Sequence, residues 1–97
     1  MPHATAVLLD RIDSLLNGSK KPAQIERTLT DGYARALTLE AERLRIERRL
    51  DNRDDPETEA HELLDERLVA IDTELVSLRD RLAILRARGL ELRAELG

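Results

Sequence analysis

Leu64, Leu68, Ile71, Leu75, Leu78, Leu82, Leu85, Leu92 and Leu96 recur at alternating spacings of four and three, interrupted only at Gly89. That rhythm sets every one of them on a single side of a helix, the seam of a coiled-coil strand. A seam of this length has to be buried against another helix. It therefore constrains architecture strongly and chemistry hardly at all.

Two more helices precede it. Val7, Leu8, Ile12, Leu15 and Leu16 keep helical spacing over residues 4–17, and Asn17-Gly18 supplies residue types that favour a left-handed C-terminal cap. Pro22 suits a first helical position, where its missing amide hydrogen costs nothing. From there Ile25, Leu29, Gly32, Ala36, Leu39, Arg43, Ile46 and Leu50 carry a second four-three seam across residues 22–51. Asp55-Pro56-Glu57 then combines an N-cap acceptor, a first-turn proline and a carboxylate facing the helix dipole, so the third helix is expected over 56–96. Gly89 has two readings, as the end of that helix or as a point of close approach to a neighbour. The expectation is an all-α single domain over 1–97. A short amphipathic helix precedes an antiparallel coiled-coil hairpin over 22–96, whose tip lies at 51–55.

A turn centred on Arg53-Asp54 reflects one long helix onto the other. Reflection sets Leu29 opposite Leu78, Gly32 opposite Leu75, Ala36 opposite Ile71, Leu39 opposite Leu68 and Ile46 opposite His61. Small residues then face large ones, which favours interdigitation. It also pairs Glu42 with Arg67, Arg35 with Glu74 and Glu26 with Arg79, and brings Glu40 unfavourably near Asp65.

The hairpin seam does not use all the apolar residues. Val69, Val76, Ala83 and Leu90 repeat every seven residues on a second flank of the third helix, and Leu37 and Leu44 do so on the second. The first helix, about 20 Å long, is too short to shield such a hairpin, and the third helix outruns the second by roughly ten residues. A second copy is the simplest cover, the competing reading being a monomeric three-helix bundle with a frayed tail. The expected self-association surface is Leu37, Leu44, Val69, Val76, Leu85, Leu90, Leu92 and Leu96, in a homodimeric helical bundle.

Composition narrows the function classes. Aromatic residues make up 1% of the chain and charged residues 37%, which describes a long-helix protein and not one with a ring-lined pocket. There is no cysteine, so disulfides and thiolate metal sites are excluded. No apolar run is long enough to span a bilayer and no signal-peptide pattern opens the chain, so the expectation is a cytoplasmic protein that does not bind membranes. A net charge of -4, with the arginines at 43–53 and 79–93 interleaved with acids, argues against nucleic acid as a partner.

Motifs with chemistry are few. His61-Glu62-Leu63-Leu64-Asp65 follows the zincin spacing but carries Asp65 where the second histidine belongs, and no Glu-x-x-His occurs. No catalytic, metal-binding or cofactor-binding residue is assigned, and no cofactor is expected. Leu64-Asp65-Glu66-Arg67-Leu68-Val69-Ala70-Ile71-Asp72-Thr73-Glu74-Leu75 resembles the opening helix of the all-helical chorismate mutases, which would imply a small dicarboxylate substrate in an intertwined dimer. The carboxylates Asp54, Asp55, Glu57 and Glu59 at the hairpin tip are similar to the acidic coiled-coil tip of the Gre-type transcript-cleavage factors. That likeness would imply a regulator of RNA polymerase whose tip holds a catalytic Mg²⁺. The primary expectation is simpler: a non-enzymatic interaction or scaffold module that associates with itself, and with an unidentified protein through its spare apolar flank or acidic tip.

Overall fold

The computed structural model describes residues 3–18, 21–52 and 59–96, without the side chains of Glu59 and Leu96. Three helices account for all of them but residues 17, 18, 21 and 52: α1 (His3–Leu16), α2 (Pro22–Asp51) and α3 (Glu59–Leu96), with no strand among the described residues. All three pack on one another in a rod of 58 × 19 × 15 Å. Pro22 opens α2 as its residue type requires, and the amides of Gln24 and Ile25 donate to the Lys21 carbonyl. The anticipated start of α3 at Pro56 lies outside the described residues.

One apolar core runs through the rod. Ile25, Ala36, Leu39 and Ile46 of α2 meet Ile71, Leu75, Leu78, Leu82, Leu85 and Leu92 of α3, and Leu8 and Ile12 of α1 join them. The described apolar seam positions of both long helices therefore point inward, as their spacing dictates, while Arg43 of the α2 seam turns out to Asp72. The pairing differs from simple reflection. A Cβ on Gly32 would strike Leu82 at 2.4 Å, and one on Gly89 would meet Ile25 at 3.1 Å. Each contact is one heptad farther along α3 than a turn at Arg53-Asp54 requires. A slip of seven residues keeps the same side chains on the seam, so the pattern alone does not choose between the two registers.

The slip corrects a second expectation. Pro22 now comes level with Leu92, so α3 barely outruns α2. Thr5 bonds Glu74 and Asp13 pairs with Arg81, so α1 runs parallel to α3 and its last turn reaches the level of Leu85. Leu85 is 0% exposed and Leu92 2%: both are core residues of their own chain and not part of a free surface. Gly89 continues the helix and serves as a close approach. Gly18 is not left-handed, because no described glycine has positive φ; α1 ends instead with the amides of Asn17 and Gly18 donating to the carbonyls of Asp13 and Leu15.

Candidate association surface

α1 occupies only one of the two grooves that a helix pair offers. Beside the buried Leu8 and Ile12, its seat there carries polar contacts. The Thr5 hydroxyl, fully buried, donates to Glu74 Oε2 at 3.1 Å, and Arg35 Nε donates to Thr5 Oγ1 at 3.0 Å. Arg35 Nη2 lies 3.7 Å and Arg67 Nη1 3.6 Å from the Glu74 carboxylate, which is 3% exposed. Glu74 Oε1 has no hydrogen bond, so the guanidinium of Arg67 balances it by charge alone. Arg67 also grips Glu42 in a bidentate bond at 2.8 and 3.0 Å. That bond holds the Glu42 carboxyl below its ordinary value and raises Arg67 above its own. Arg11 adds bonds to Asp31 and Thr28 of α2. Buried charge of this kind gives a helix a definite seat more than it gives it stability.

The opposite groove is open. Leu44 and Val76 line it toward the tip, and Tyr33, Ala83 and Leu90 line it toward the other end. Of the residues expected to form the self-association surface, Leu37, Leu44, Val69, Val76 and Leu90 are between 48% and 66% exposed. The side chain of Leu96 lies outside the described part of the structure. Tyr33, 44% exposed, belongs with this stripe and was missed because it breaks the leucine-valine repeat. Its signal was available, since it lies four residues before Leu37 and seven before Glu40 on the same helix flank. Ion pairs bridge the groove along its length: Glu26 with Arg93, Glu40 with Arg79, and Arg43 with Asp72 at 2.6 Å.

Two of the three cross-hairpin ion pairs expected from the sequence form, Glu42 with Arg67 and Arg35 with Glu74. The third does not. The one-heptad slip gives Glu26 to Arg93 and leaves Arg79 to Glu40, which also removes the anticipated clash of Glu40 with Asp65.

Other candidate chemistry stays local. His61 Nε2 is 3.3 Å from Asp65 one turn on, and no group of three or more possible metal ligands occurs among the described residues. Asp54, Asp55 and Glu57 of the acidic tip lie outside the described residues, and Glu59 opens α3. No described helix is long and apolar enough to cross a membrane. No protein-family model matches the chain, nor does any curated protein or solved structure.

Proposed function

We propose that this chain is a non-enzymatic helical association module, and that the open α2–α3 groove is covered by a second copy of itself. The observation that carries this reading is the stripe of Leu37, Leu44, Val69, Val76 and Leu90, left exposed although α1 covers the other groove. Apolar side chains gathered along one flank of a helix pair are uncommon on a surface that has no partner. A flank of a rod 58 Å by 19 Å exceeds the ~800 Å² per partner of a standard interface. The bordering charges are balanced: Glu26, Glu40, Glu47 and Asp72 stand against Arg43, Arg79, Arg86 and Arg93. A strongly acidic or basic partner gains nothing from such a rim, whereas an identical copy meets no net repulsion.

Sedimentation equilibrium across concentration tests the reading. The native chain is expected to approach twice its 11.0 kDa mass as concentration rises. Val76→Glu or Leu90→Glu should weaken the dimer at least ~100-fold, because a twofold interface meets each substitution twice. Leu63→Glu, at an exposed leucine on another side of α3, should leave it unchanged. A single-chain mass at every concentration sinks the proposal, as does indifference to charge at Val76 and Leu90 in variants whose circular dichroism is native.

A further inference from the structure

The two borders of the open groove differ in sign. Among the residues lining the groove, those charged on α2 are Glu26, Glu40 and Glu47, with Arg43 as the exception, and those on α3 are Arg79, Arg86 and Arg93, with Asp72 as the exception; Arg48 and Asp80 lie one turn beyond Leu44 and Val76, outside the lining. We infer that the second copy lies with its hairpin tip at the same end of the rod, related by a twofold axis along the rod's length, so that α2 of each copy covers α3 of the other. The inference rests on the self-association reading and adds the arrangement.

For two rods lying side by side with parallel long axes, two twofold axes in the interface plane are available. An axis across the rod stacks α2 on α2 and α3 on α3, acidic border on acidic and basic on basic. An axis along the rod stacks the acidic border on the basic one, twice. Like charges facing across an interface are costly, and opposite ones fix its register. Arg86 sharpens the choice: among the described residues it is the one base of the α3 border with no carboxylate partner in its own chain, while Arg79 and Arg93 have theirs. With the axis along the rod, the neighbouring copy brings the Glu26 end of its α2 over Arg86.

The apolar stripes agree. The contacts of Gly32 with Leu82 and Gly89 with Ile25 set Leu37 level with Val76, and Leu44 level with Val69, to within one residue. An axis along the rod preserves levels, so Leu37 of each copy meets Val76 of the other and Leu44 meets Val69. An axis across the rod inverts them about one point. The α2 stripe, from Tyr33 to Leu44, is centred level with residues 75–76 of α3, and the α3 stripe between Val76 and Ala83, which is ~6 Å away along the rod at 1.5 Å per residue. No single crosswise axis centres both.

The cysteine-free chain makes the test direct. A nitroxide attached at Asn52→Cys, an exposed position at the end of α2, reports the distance between the two tips by pulsed electron resonance. Tips at the same end predict a separation below about 30 Å, given helix-to-helix distances of 8–10 Å. Tips at opposite ends predict one approaching the 58 Å length of the rod, and that result overturns the arrangement. Oxidising a mixture of Leu37→Cys chains with Val76→Cys chains should give the mixed cross-link, with neither variant cross-linking to itself; self-cross-linking of either one instead would also overturn it. A mass that stays single-chain removes the self-association reading itself, whereas a dimer with distant tips removes only this geometry.

Discussion

Of the described glycines, Gly32 leaves the least room for a side chain, and the reason lies in a single atom. A methyl group there would lie 2.4 Å from Leu82 Cδ2 and 3.3 Å from both Cγ and Cδ1 of the same side chain, a 1% exposed leucine bordering the open groove, so either its end turns aside or the two helices part. Overpacking of that kind costs ~1–3 kcal/mol, against a gain of ~1 kcal/mol for replacing glycine by alanine within a helix. Gly32→Ala should therefore lose about 1 kcal/mol in urea unfolding, measured at one protein concentration because association would shift the midpoint. Gly89→Ala meets only Ile25 Cγ2 at 3.1 Å, a methyl that yields by a few tenths of an ångström, so the two effects nearly cancel and a change within ~0.5 kcal/mol is expected. Equal losses at the two glycines would refute this account of the close approach. The seam marks Gly32 as an inward position from its spacing alone, but the identity of the residue it accommodates depends on register, which the spacing repeats every seven residues. Thr5 and Glu74 were illegible for another reason. Polarity argues for a surface position, and only the convergence of Arg35 and Arg67 explains why these two are buried.

α1 is short for an independent helix, and it holds its place through a mixed seat: Leu8 and Ile12 buried in the core, Thr5 bonded to Glu74, Arg11 to Asp31 and Thr28, and Asp13 to Arg81. Thr5→Val keeps the shape and deletes the hydroxyl, leaving Glu74 Oε2 without its hydrogen bond inside the bundle. An unsatisfied buried acceptor costs ~1–3 kcal/mol, and that cost falls on the docking of α1 more than on the α2–α3 pair. Hydrogen exchange followed by mass spectrometry should show α1 amides exchanging about tenfold faster or more in the variant, with the Ile71–Leu82 segment of α3 little changed. Uniform acceleration across all three helices would mean that α1 is not a separable element. At this scale the sequence is most informative: the bounds of α2 agree with expectation, those of α1 do so within one residue, and the described apolar positions of both seams face inward. The register of α3 on α2 was not legible, because a heptad repeat is unchanged by a heptad slip and because two of the three expected ion pairs are compatible with either register through the reach of arginine. The same slip explains why Leu85 and Leu92 belong to the core: α3 does not overhang α2, and α1 closes the space beside Leu85.

The whole molecule is a rod with one groove filled by its own first helix and the other lined with leucine, valine and tyrosine, and that asymmetry determines how copies can add. Material placed along the open groove thickens the rod without lengthening it, whereas association through the rod ends would lengthen it without thickening it. The single chain has a radius of gyration of 17.1 Å and a length of 58 Å. Two rods packed flank to flank at ordinary helix-layer spacing would raise the radius of gyration only to about 18 Å. Small-angle scattering on a dilution series should therefore show mass doubling while the longest dimension stays within a few ångströms of its dilute value, the cross-section alone growing. Val76→Glu should hold the scattering at the single-chain cross-section through the same series. Growth in length with mass would instead place the contact at the tip or at the end of α3, where the open groove plays no part, and would move the search for a binding surface away from Leu37, Leu44, Val69, Val76 and Leu90.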